Sequence, residues 1–83
     1  MEPYILVLDE GTTSTRAVLF NKETKIVDEE QLPLAITTPQ FGFVEQDPNE
    51  IIEKSIRVVK AVVERARANE RNIQCLAVTN QRT

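Results

Sequence analysis

The sequence has no histidine, no tryptophan and a single cysteine, Cys75, in 83 residues. One cysteine forms no intrachain disulfide, which fits a reducing, cytoplasmic setting. One cysteine without histidine also excludes an ordinary zinc site, a Ser-His-Asp triad and a Cys-His pair within these residues. A metal here would be hard and oxygen-bound, such as Mg²⁺. Lysine and arginine form no run, and ten basic residues stand against thirteen acidic ones for a net charge of −3. Phosphate backbones and anionic membranes are held by clustered cations, so neither nucleic acid nor membrane is an expected partner. The longest apolar run, Tyr4-Ile5-Leu6-Val7-Leu8, falls far short of the roughly 20 residues that span a bilayer. No basic segment leads into an apolar one, so no signal peptide is expected. Two glycines, four prolines and 41% hydrophobic residues argue against collagen-like or disordered sequence.

What is present reads as an α/β chain of order β-β-β-α-β. The apolar run at 4–8 is short and rich in β-formers, which predicts a strand buried on both faces. Residues 10–14 form a turn, and Arg16-Ala17-Val18-Leu19-Phe20 a second strand that completes a hairpin. A third strand is predicted over 26–34. Its acidic centre, Asp28-Glu29-Glu30, and Pro33 suit an edge or solvent-facing position. After an irregular stretch, Asp47 can cap a helix, Pro48 suits its first position and Glu50 sits three residues after the cap. The helix is predicted over 49–68, with Ile52, Ile56, Val59, Val63 and Ala66 on its apolar face. Glu50–Lys54 and Glu53–Arg57 are favourable i,i+4 pairs. A last strand at 74–78 follows, with Cys75 in buried core. A helix between strands brings the second strand parallel to its neighbour. The polar run 79–83 after that strand suggests part of a larger domain, in which further elements cover the second sheet face.

Chemistry concentrates in Asp9-Glu10-Gly11-Thr12-Thr13-Ser14-Thr15-Arg16. Gly11 permits close backbone approach. Hydroxyls of Thr12, Thr13, Ser14 and Thr15, with neighbouring N–H groups, can wrap phosphate oxygens. Asp9 can hold Mg²⁺, which often takes only one or two carboxylates, and Arg16 adds positive charge. A ligand-free Gly/Thr/Ser turn explains the same residues. The segment is not a Walker loop, because G-x-x-x-x-G-K-[ST] is absent. Glu45 with Asp47 offers a carboxylate pair, although Asp47 is better explained as a cap. Phe41 and Phe43 suit packing in a long loop.

Three spaced blocks carry a resemblance. Asp9 to Arg16 is similar to a D-Q-G-T-T-S-x-R phosphate loop. Gly42-Phe43-Val44-Glu45-Gln46-Asp47-Pro48 is similar to G-W-V-E-[HQ]-D-P, and Thr79-Asn80-Gln81-Arg82 to T-N-Q-R. Together they resemble the start of the glycerol kinases, in the carbohydrate-kinase family with the actin-like (ribonuclease H-like) ATPase fold. Residues 1–83 would be the N-terminal part of the first ATPase domain. The paired threonines, Arg16 and Asn80-Gln81-Arg82 favour the glycerol branch over the pentulose branch.

The resemblance implies phosphoryl transfer from ATP, with Mg²⁺, to glycerol. It implies ATP-phosphate contacts from Gly11, Thr12, Thr13 and Ser14, a nucleotide contact from Arg16, and Asp9 near the metal. Arg82 and Thr12 would face the polyol. The family's catalytic base has no counterpart among these residues. Glu10 stands where the family carries Gln, and Thr83 where it carries a glycerol-binding Glu. A carboxylate beside the loop repels ATP unless it points away, and in an extended strand Asp9 and Glu10 point to opposite faces. Another polyol or sugar as substrate, and a non-catalytic remnant that binds nucleotide or self-associates, are the alternative readings. Self-association is expected through an uncovered sheet face or edge.

Overall fold

A computed structural model describes residues 2–35 and 47–80. The order is β1 (Pro3–Glu10), β2 (Ser14–Phe20), β3 (Ile26–Pro33), α1 (Pro48–Ala68) and β4 (Asn72–Asn80). The four strands form one sheet in the order β3-β2-β1-β4. β1 pairs antiparallel with β2 and parallel with β4, and β2 antiparallel with β3. The expected hairpin, edge position of β3 and parallel return after the helix are all present. Of the 42–48 block, only Asp47 and Pro48 are described; Phe41, Phe43, Glu45, Arg82 and Thr83 lie outside the described residues.

Local chemistry sets the element ends. The β2–β3 turn is held by Asn21, whose Oδ1 accepts from the N–H groups of Glu23 and Lys25, both at 3.0 Å. Asp47 caps α1 by accepting from the Asn49 N–H at 2.9 Å. Glu50 takes a different partner from the one a capping box would give it, accepting from the Ala35 N–H at 2.9 Å. Its i,i+4 pair with Lys54 forms at 3.4 Å. At the other end, Arg71 N–H donates to Ala66 O and Glu70 N–H to Arg67 O, a Schellman closure that puts Glu70 at φ 55°.

The core lies between α1 and one sheet face. Leu6, Ala17 and Leu19 meet Val58, Val62 and Ala66 there. Each large side chain so buried contributes roughly 1.5–3 kcal/mol. The stripe expected on α1 is displaced, since Ile52 and Ile56 are 58% and 60% exposed and Val58 and Val62 are buried instead. The helix carries two adjacent apolar stripes, and polar anchors on its far flank choose between them. Arg65 reaches Asp28 at 2.8 Å and Glu30 at 3.0 Å, and Lys54 donates to Pro33 O. These contacts are made with Val58 and Val62 turned onto the sheet. They also correct the reading of β3, because Asp28 and Glu30 face α1 rather than solvent.

Two further expectations are overturned. Cys75 is exposed, not core. β1 is covered on one face only: Ile5, on the face away from α1, is 43% exposed. Both have one cause: Cys75 is in register with Ile5, so the two share the sheet face opposite α1, which no described element covers. No described helix is long and apolar enough to cross a membrane.

Candidate functional site

β1 ends in two consecutive carboxylates, and the alternation of the strand sends them to opposite faces. Glu10 turns toward α1. Its Oε1 accepts from Thr15 Oγ1 at 3.0 Å and Ser55 Oγ at 2.5 Å. Thr15 is fully buried, so Glu10 ties the start of β2 to the helix. Asp9 lies on the other face, where Oδ2 accepts from Arg16 Nη2 at 3.2 Å and Oδ1 from Thr79 Oγ1 at 3.1 Å. The extra carboxylate at position 10 is thus engaged on the face opposite Asp9.

Between the strands, the turn is closed by the Gly11 N–H donating to Ser14 O at 2.9 Å. A Cβ on Gly11 would stand 3.3 Å from that same oxygen. Glycine serves here through close approach, because its φ lies outside the left-handed region. Thr12 and Thr13 are exposed at the tip. Thr13 O accepts from the Leu34 N–H at 2.8 Å, and Ser14 Oγ from Gln31 Nε2 at 2.8 Å. Thr13, Ser14, Gln31 and Pro33 line an open depression beside the turn.

Arg16 sits on the Asp9 face between two carboxylates, Asp9 at 3.2 Å and Glu29 at 3.6 Å, with its side chain 39% exposed. Exposed pairs of this kind contribute only about 0–1 kcal/mol, so an anion at the turn can draw the guanidinium away at little cost. The described residues contain no cluster of three acidic, Cys or His side chains suited to a metal ion. A single carboxylate such as Asp9 remains compatible with Mg²⁺, which keeps most of its waters.

The structure therefore brings Asp9, Gly11, Thr12, Thr13, Ser14 and Arg16 to one end of the sheet. Arg82 lies outside the described residues. Sequence reasoning missed Gln31, Ser55 and Glu29 as neighbours of the loop. Gln31 and Glu29 come with the β2–β3 register, and Ser55 with the rotation of α1. Thr79 had a signal, as the first residue of the T-N-Q-R block.

Residues 4–83 match the N-terminal domain of the FGGY family of carbohydrate kinases, and the chain belongs to that family. Among its relatives is the glycerol kinase of Thermococcus onnurineus (strain NA1), 44% identical over 99% of this chain and 17% of that protein. The glycerol kinase of Coxiella burnetii (strain RSA 493 / Nine Mile phase I) is 42% identical over 99% of this chain and 16% of its own length. The chain thus spans about one sixth of the curated relatives it matches. Plasmodium falciparum glycerol kinase, solved with ADP, superposes with a TM-score of 0.86 at 26% identity, over 98% of this chain and 16% of that one. A gluconate kinase from Lactobacillus acidophilus gives 0.84 at 22% identity, with the same coverage. The fold is that of the sugar kinases with the actin-like ATPase architecture.

Proposed function

We propose that this chain forms the phosphate-loop part of an ATP-dependent glycerol kinase, the enzyme class that moves the γ-phosphoryl group of ATP to a polyol hydroxyl. The carrying observation is the end of the sheet, where the Gly11 turn presents Thr12, Thr13 and Ser14 beside Asp9 and Arg16. Phosphoryl transfer depends mainly on positioning and charge stabilisation, and these residues offer both. Gly11, Thr12, Thr13 and Ser14 hold phosphate oxygens with N–H and O–H donors. Arg16, released from Asp9 and Glu29, adds positive charge. Asp9 would hold Mg²⁺, which neutralises phosphate charge when bound. By the resemblance, Thr12 and Arg82 would contact the polyol. The setting is cytoplasmic, where ATP and free thiols coexist.

The glycerol kinase relatives, 40–44% identical, support glycerol as the acceptor. A different polyol or sugar is the second reading, favoured by Thr83 at a position where a carboxylate would grip hydroxyls. Titration calorimetry of ATP into the chain, with and without Mg²⁺, tests the loop. Binding that needs Mg²⁺ and is lost in Gly11→Val is expected. Equal heats in wild type and Gly11→Val would show that nucleotide does not bind at this turn.

A further inference from the structure

Gln31 stands on β3 beside the turn that joins β1 to β2. Strand alternation places it on the sheet face away from α1, together with Asp9, Ser14, Arg16 and Glu29. It is level with Arg16 and diagonal to Ser14, which faces Pro33. Its Nε2 donates to Ser14 Oγ at 2.8 Å, and both residues line the depression beside the turn. The run of carboxylates on β3, Asp28-Glu29-Glu30, stops one residue before it. An amide at position 31 therefore donates where a further carboxylate could only accept.

A serine hydroxyl has one proton to give and two lone pairs that accept. Gln31 fills one lone pair, holds Oγ in one χ1 well and leaves the proton to be given elsewhere. Two carbonyls of the residues lining the depression are already engaged. Thr13 O accepts from the Leu34 N–H at 2.8 Å, and Pro33 O accepts from Lys54 Nζ. The depression thus offers hydroxyl and amide hydrogens, and Gln31 Nε2 keeps a second one of its own. Donors of this kind, beside a guanidinium, suit the oxygen of a phosphate.

We propose that Gln31 is a positioning residue of the phosphate site: by donating to Ser14 Oγ it fixes the serine side chain and reserves the serine proton for a phosphate oxygen. The inference rests on the phosphate-loop reading, which gives Ser14 to phosphate, and adds a residue 17 positions away on another strand. Without the amide, Ser14 samples three χ1 wells rather than one. Its proton then has three positions rather than two. Together these dilute the productive arrangement by about four- to fivefold.

Nitrogen–proton correlation NMR of the 83-residue chain, titrated with ATP in the presence of Mg²⁺, tests it. The backbone N–H signals of Gly11, Thr13 and Ser14 follow binding. The Hα–Hβ couplings of Ser14 give its χ1 without any nucleotide. Gln31 is exposed, so Gln31→Met leaves the core untouched. A single Ser14 rotamer is expected in the wild type and an averaged one in Gln31→Met, with the dissociation constant for ATP raised about fourfold. In a Ser14→Ala background the same substitution should change that constant by less than about 1.5-fold, because the amide then has no hydroxyl to hold. A Ser14 rotamer indifferent to Gln31→Met, an unchanged affinity, or an equal loss with Ser14 replaced overturns the proposal and leaves the phosphate-loop reading standing. Turn signals that do not move with ATP in the wild type overturn that reading, and the proposal with it.

Discussion

Replacing Glu10 with alanine removes the acceptor shared by Thr15 and Ser55, and the cost can be worked from their surroundings. Thr15 is fully buried, so water cannot replace the lost partner. A buried donor left unsatisfied costs about 1–3 kcal/mol. Part of this is recovered, because Thr15 Oγ1 and Ser55 Oγ stand 3.4 Å apart and can close on each other. The expected loss is about 2 kcal/mol. In a domain of this size 1 kcal/mol moves the melting temperature by about 4–8 °C, so Glu10→Ala should melt about 10 °C lower. Glu10→Gln keeps an acceptor oxygen in place and should cost less than about 1 kcal/mol. Thr15→Val removes the buried hydroxyl itself. A cycle combining it with Glu10→Ala should therefore show a coupling of about 1–2 kcal/mol. Urea unfolding followed by circular dichroism measures the wild type and the four variants. Glu10→Gln as damaging as Glu10→Ala, or a coupling near zero, would refute the tether.

Arg65 holds Asp28 below the ordinary carboxylate range, chiefly by donating hydrogen bonds to it. A lowered folded-state value means stability that is complete above about pH 4 and is lost as pH falls through the folded value; Arg65→Met should flatten this acid limb in pH-dependent melting. Glu70 holds a left-handed conformation at φ 55°, so Glu70→Gly should raise stability by about 0.5–1 kcal/mol in urea unfolding. Glu10→Gln should change ATP affinity by less than about threefold in calorimetry, because the carboxylate is engaged on the helix side; a larger gain would mean that it faces the phosphates. The 83-residue chain should show no glycerol-dependent ADP release in a coupled assay. The motifs that carry the resemblance include no counterpart of the family's base, and loss of a general base alone costs about 10²–10⁴-fold.

The order of elements was legible because its signals are local. Asp47-Pro48 marks a helix start, and the acids and Pro33 mark an edge strand. The turn from Asp9 to Arg16 was legible because its residues are consecutive. The rotation of α1 was not, since periodicity finds an apolar stripe but does not say which surface it meets. Ile52 and Ile56 fit the helical period as well as Val58 and Val62 do. What separates them is Arg65 reaching Asp28 and Glu30, a contact between residues 37 and 35 positions apart. The burial of Cys75 was misjudged for a related reason. An apolar strand reads as core, but the cover for that part of β4 is not supplied by α1. The role of Glu10 was half legible: strand alternation gave its direction, and only the packed helix gave its partner.

The register between β1 and β4 slips once, where Tyr4 faces Ile73 but Ile5 faces Cys75, leaving Gln74 over. This surplus residue acts as a frameshift for everything downstream. Were the pairing to run on from Tyr4–Ile73 without the slip, the position level with Asp9 would fall to Val78, and a methyl-bearing side chain would meet the carboxylate. With it, Thr79 arrives there and supplies a hydroxyl at 3.1 Å. At about 3.3 Å per residue, an irregularity at the foot of the sheet thus decides the polarity of its head, some five residues away. Deleting Gln74 should therefore leave Thr79 level with Asp9, whereas closing the slip with Gln74 retained would put Val78 in its place, although neither change touches the Gly11 turn.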